Sequence, residues 1–118
     1  MDNAFYGLQR MRSREVEVRQ LVKEMARLVR EVREELDTLC IGNALYGMQG
    51  LNAHDVEIRL MLREFSQKIR ECKPVMDDQE LANAFYGLQL MTEMHPEVHS
   101  IYYIIIYNIY YILYTIYC

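Results

Sequence analysis

The chain has 118 residues, of which 52% are apolar and 25% charged, so it holds one domain's worth of core-forming material and is neither a disordered nor a solvating acidic tail. Its formal net charge of −4 argues against a general polyanion binder, and the charges thin out along the chain. Residues 1–40 carry eight basic and eight acidic side chains, residues 41–80 five and seven, and residues 81–118 only Glu93 and Glu97.

The first element is a seven-residue word, Asn3-Ala4-Phe5-Tyr6-Gly7-Leu8-Gln9, which returns unchanged at residues 83–89 and, with two apolar swaps, at residues 43–49. The starts are 40 residues apart both times, a period typical of stacked helical repeats. The units are therefore 1–40, 41–80 and 81–118. On a helix, Met1, Ala4, Phe5, Leu8 and Met11 share one stripe, as do Ile41, Ala44, Leu45, Met48 and Leu51, and Leu81, Ala84, Phe85, Leu88 and Met91. Each word predicts a short amphipathic helix A.

A polar break follows each word. Ser13 and Asn52 are good N-cap types, and Pro96 suits a first helical turn. A longer helix B follows. Its stripe is Val18, Leu21, Val22, Met25, Leu28, Val29 and Val32 in the first unit. The second has Ile58, Met61, Leu62, Phe65, Ile69 and Cys72, with Lys68 as the exception. The other face is charged, with i,i+4 pairs Glu15–Arg19, Arg27–Glu31 and Arg30–Glu34. Pro74 ends the second helix B, and the first is expected to end near Arg33. Asp77 and Glu80 have capping-box spacing, and Asp37 should occupy the same turn one period earlier. Breaks are thus expected near Ser13, Glu35, Asn52, Pro74 and His95. The predicted fold class is all-α: a right-handed α-solenoid of three helical hairpins, with the array over 1–100.

Residues 101–118 close the last helix with seven Ile, seven Tyr and no charge. The stripe positions Ile101, Tyr102, Ile105, Ile109 and Ile112 stay in register, but the opposite face is apolar as well. Three readings stand: a translated low-complexity tract on a truncated repeat, a membrane segment, or a helix buried against a partner. Tyrosines throughout and the lack of a basic flank weigh against the membrane.

The spacing of Cys40, Cys72 and Cys118 matches neither a zinc site nor a redox motif, which points to unpaired thiols in a reducing, intracellular compartment. There is no targeting segment at the start of the sequence. His95 and His99 have metal-compatible spacing without a third ligand, so neither a metal nor a cofactor is expected. With no phosphate loop and no nucleophile motif, no enzyme is expected either.

Ala and Gly of the word suit close helix packing. Asn3, Tyr6 and Gln9, with Asn43, Tyr46, Gln49, Asn83, Tyr86 and Gln89, lie off the stripe. They form either joints between adjacent A helices or a ladder of amides and rings facing a ligand, with Arg10 near a phosphate backbone.

The line Gln79-Glu80-Leu81-Ala82-Asn83-Ala84-Phe85-Tyr86-Gly87-Leu88-Gln89-Leu90-Met91 resembles helix A of octotricopeptide and heptatricopeptide repeat proteins, and Asn43-Ala44-Leu45-Tyr46 is similar to their Asn-small-Leu-aromatic core. Gly47 stands where that family usually has Ala. The resemblance covers helix A of each unit and implies an α-solenoid that binds single-stranded RNA in organelles. A protein–protein scaffold is the alternative, and a truncated, non-functional fragment the next. Membrane contact is expected through 101–118 only, and no small-molecule substrate is expected.

Overall fold

Apolar residues at helical spacing, broken every ten to sixteen residues by polar turns, fold as separate helices rather than one rod. The computed structural model describes residues 7–33, 37–71, 76–92 and 94–117, with only the backbone of Ile112 and Tyr117. All of its regular structure is helical. A 3-10 turn at Gly7–Arg10 precedes α1 (Val16–Glu31), α2 (Thr38–Gly47), α3 (Val56–Glu71), α4 (Asp78–Gly87) and α5 (Pro96–Tyr117). Residues 1–6, most of the first word, lie outside the described residues, as do Glu35, Cys72 and Pro74.

Like packs on like. The short helices α2 and α4 lie side by side, with the 3-10 turn against α2, while α1 packs on α3 and α3 on α5. The molecule is therefore two layers, one of short and one of long helices, extending over 48 × 29 × 23 Å. Its core lies between the layers and draws on both: Ile41, Ala44, Leu45, Met48 and Leu51 from the α2 side, Ile58, Met61, Leu62, Phe65 and Ile69 from α3. Phe65 is its largest fully buried side chain.

The polar turns have specific partners. Asp37 and Asp77 are the N-caps of α2 and α4, as expected. Asp77 accepts from the Glu80 amide at 2.8 Å and Glu80 accepts from the Asp77 amide at 2.9 Å, a complete capping box. Ser13, expected as an N-cap, does something else. Its hydroxyl accepts from the Asn52 amide at 2.8 Å and ties the first break to the second; Glu15 occupies the N-cap of α1 without a side-chain bond. Asn52 closes an Asx turn onto the His54 amide rather than capping α3. Arg19 reaches Glu57 in the next unit at 3.9 Å, and Arg27–Glu31 forms as expected at 3.1 Å. Hydrogen bonds that the Arg27 guanidinium donates to the Glu24 and Glu31 carboxylates hold it above its ordinary pKa.

Several stripe residues are exposed, for one reason. Leu21 (43% exposed) and Leu28 sit at register positions that are more covered in later units, where Met61 (0%), Ile101 and Asn108 are buried and Lys68 half-buried beside the preceding helix. On α1 no described helix covers them. Phe85 and Met11 are exposed as well, and Phe85 has no described helix beyond α4 to cover it, whereas Leu45, its counterpart on α2, is fully buried. Lys68, the break in the stripe, donates to the Val32 carbonyl from the equivalent of Leu28. One unit later Asn108 accepts from the Met76 amide at 2.9 Å and donates to the Ile104 carbonyl at 2.9 Å. Both polar side chains hold the connection that leads into the neighbouring short helix.

Helix α5 runs 22 residues, against 16 for α1 and α3. Ile101 and Ile105 are buried and Tyr102 and Ile109 half-buried, but most of its other large side chains are exposed. No helix among the described residues is long and apolar enough to cross a membrane.

Candidate functional site

The short-helix layer carries the repeated word, and its geometry follows from two glycines. A Cβ on Gly87 would lie 1.6 Å from the Leu45 carbonyl oxygen and 2.8 Å from the Tyr46 amide nitrogen. Only hydrogen fits there, so α4 rests its backbone directly on α2. From the other helix Gly42 faces Glu80, where a Cβ would meet the backbone at 3.3 Å. Gly42 sits inside α2, where glycine costs about 1 kcal/mol relative to alanine, and its close contact with Glu80 offsets that cost; Gly87 is the last residue of α4. Gly7 has the same place in its word, and a Cβ on it would meet nothing within 4 Å among the described residues.

The close approach sets the ladder. Tyr46 and Tyr86 stack on each other, ring centroids 5.3 Å apart and planes 22° apart. Such a pair contributes about 0.5–1.5 kcal/mol beyond its buried area. A base stacking between the rings would have to separate them. The amides bond locally: Gln49 Nε2 donates to the Tyr46 carbonyl at 3.1 Å, and Asn83 Oδ1 accepts from Gln79 at 3.2 Å. Asn43 and Gln9 are half-buried, Gln89 and Arg10 exposed, and Asn3 and Tyr6 lie outside the described residues. The structure thus brings Tyr46 and Tyr86 together and leaves Gln89 and Arg10 in solvent.

Electrostatics separate the two layers. Residues 37–50 and 77–92 contain no Lys or Arg, whereas Asp37, Asp77, Asp78 and Glu80 cluster at the starts of α2 and α4. Glu80 is buried; beside its capping bond it accepts from Thr38 Oγ1 at 3.2 Å, joining the two short helices at their N-terminal ends. Eight of the thirteen cations lie on the long helices, and several of these are engaged by neighbours. Arg19 donates to the Ser13 carbonyl at 2.7 Å, Arg59 to the Ala53 and His54 carbonyls at 2.8 Å, and Arg63 pairs with Glu97 at 3.5 Å.

His95 pairs with His54 across units, not with His99. The ring nitrogens are 3.3 Å apart and the rings meet edge to face. His99 instead donates its amide to the His95 carbonyl as α5 begins. Among the described residues no three His, Cys, Asp or Glu side chains converge on a metal position. An open groove of about 370 Å³ runs between α3 and α5, lined by charges of both signs, including Arg63, Glu64, Arg70 and Glu97. Sequence reasoning had no signal for the Thr38–Glu80 and His54–His95 contacts, since the local spacings that single out Glu80 and His95 point to partners within one turn, not to residues about one period away. In comparison with known proteins the chain matches no family model, and no curated protein and no solved structure shows significant similarity to it.

Proposed function

We propose that this chain is a segment of an α-solenoid with a 40-residue period, a non-enzymatic scaffold whose end faces receive further helical hairpins or proteins of similar surface. The observation that carries this reading is the contrast between Gly87, seated on the α2 backbone, and Gly7, where a Cβ would meet none of the described residues. The word is the joint between units, and its first occurrence presents that joint unfilled. Leu21 and Leu28 extend the same open end across the long-helix layer. The test is to fuse an extra unit, residues 41–80, ahead of the full chain. Stacked repeats gain stability from each added interface, so the melting temperature should rise and the amides of α1 should exchange more slowly. An unchanged melting temperature would count against a solenoid joint.

A second reading, RNA binding along the short-helix face, is favoured by one observation. The Tyr86 ring, 48% exposed, ends the tyrosine stack and offers a face to a base. The resemblance to octotricopeptide repeats points the same way. Titration of single-stranded RNA at two salt concentrations, beside thermal melts of Tyr46→Ala and Asn43→Ala, separates the readings. Salt-sensitive binding lost in Tyr46→Ala without loss of stability supports RNA. Absence of binding with lowered melting temperatures leaves the scaffold.

A further inference from the structure

The outer face of α5 carries no charge where its counterparts do. Tyr103, Tyr107 and Tyr110 stand in the register of Arg63, Gln67 and Arg70 on α3, and of Lys23, Arg27 and Arg30 on α1. Tyr103 and Tyr110 are each 69% exposed, and Ile106, Tyr107, Leu113 and Tyr114 are exposed with them. Their spacing is that of a coiled-coil seam, with Tyr103, Ile106, Tyr110 and Leu113 at alternate three- and four-residue steps and Tyr107 and Tyr114 flanking. Tyr103, Ile106, Tyr107 and Tyr110 also enclose a shallow concavity of about 210 Å³. Four residues at i, i+3, i+4 and i+7 around a hollow are the hole that receives a knob from a facing helix.

We infer that α5 is a self-association helix and that its occupant is a second molecule of this chain, paired antiparallel about an axis near Tyr110. The six seam residues offer roughly 700 Å² per molecule, taking about 200 Å² for a full aromatic side chain and its exposed share, close to the roughly 800 Å² per side of a standard stable interface. A symmetric pairing sets each Tyr110 against its mate and drops Leu113 of the second molecule into the hole around Tyr103 and Tyr107. The seam is neutral in a molecule of net charge −4, so it is the face on which two molecules meet without like-charge repulsion. An antiparallel arrangement also lays the unsupported end of each α5 beside the supported start of the other and holds the acidic bodies apart. A lipid surface fits less well, because residues 96–118 hold no cation for headgroups and tyrosines run along the whole helix.

This inference goes beyond the scaffold reading and does not depend on it: the seam is defined by the exposure and spacing of α5's own side chains, although Tyr103 and Tyr107 also border a cavity with Ile69 and Arg70 of α3. The test is sedimentation of the full chain over a range of concentrations, with circular dichroism as the control for folding. The chain should sediment at twice its 14.1 kDa mass. Tyr110→Arg, which installs the residue found at the same register in α1 and α3, should keep the helical signal and raise the dimer Kd about thirtyfold or more, as loss of a central aromatic anchor does. Tyr110→Glu should do the same, and an equimolar mixture of the two variants should dimerise again. The double variant I106E/L113K should dimerise if the helices are antiparallel, because each Glu then meets a Lys of the other molecule. A monomeric chain at every concentration, a ladder of irregular aggregates indifferent to Tyr110→Arg, or uptake of monomer by phosphatidylcholine vesicles in place of dimerisation would each overturn the proposal. So would a mixture of the Arg and Glu variants that stays monomeric.

Discussion

The middle unit, α2 with α3, and the last unit, α4 with α5, carry the same register on two different footings. α2 is covered by α4 on one side and the 3-10 turn on the other, and α3 is covered by α1 and α5. Leu45, Met61, Leu62 and Phe65 are accordingly sealed. In the last unit Phe85, Tyr86 and Leu90 are exposed, though the word around them repeats the one at residues 43–49 with two apolar swaps and Leu90 stands where the middle unit has Gly50. The difference lies in the neighbour rather than the local sequence. The burial of a residue in the repeated word depends on which helix packs beside it.

The largest expected effect comes from removing the centre of the doubly covered unit. Phe65→Ala should cost about 3–5 kcal/mol, the range for truncating a fully buried aromatic, and Phe85→Ala much less. Urea unfolding of the two variants checks this. Similar losses at both positions would break the comparison, since they would mean that a cover outside the described residues lies over Phe85.

A smaller effect tests the joint itself. Gly87→Ala puts a methyl group where the Leu45 carbonyl sits, and overpacking of this kind costs about 1–3 kcal/mol. Gly7→Ala meets no neighbour among the described residues and should leave the melting temperature unchanged or slightly raised. If Gly87→Ala proves neutral, α4 does not rest on the α2 backbone and the short-helix layer is looser than described.

Much of this was legible beforehand, and the reasons are local. Helical spacing alone locates the core residues of α2, α3 and the first turns of α5, because a stripe must be buried somewhere. Asp77 with Glu80 announces its own bond, since both partners lie within one turn. What a single unit cannot carry is the identity of its neighbour. Leu21 and Leu28 have the stripe spacing of Met61 and Ile101 yet are exposed, because no described helix precedes α1. Lys68 breaks the pattern until the Val32 carbonyl opposite it is known. Ser13 has the residue type of a cap but finds a better donor in Asn52 of the next unit. The tyrosines of the word were ambiguous between joint and ligand ladder, and only the distance between α2 and α4 puts their rings in contact.

The smallest effect concerns the two N-caps and sharpens the comparison between units. Asp37 accepts from the Cys40 amide at 2.7 Å, and the residue three positions on carries a thiol rather than a carboxylate. Asp77 meets Glu80, which answers with its own carboxylate. Either Asp→Ala should cost about 1 kcal/mol through loss of one backbone amide's partner. Glu80→Ala should cost more than either, because one buried carboxylate serves both the Asp77 amide and the Thr38 hydroxyl and its loss leaves both donors without it. Thr38→Val separates the two roles: it removes the bond between the short helices and keeps the cap. In a double-mutant cycle Glu80→Ala and Thr38→Val should therefore couple, while Asp37→Ala and Asp77→Ala, on separate helices with separate partners, should add independently. Additivity of the Glu80 and Thr38 changes would show that the 3.2 Å contact contributes nothing and that the box acts within α4 alone.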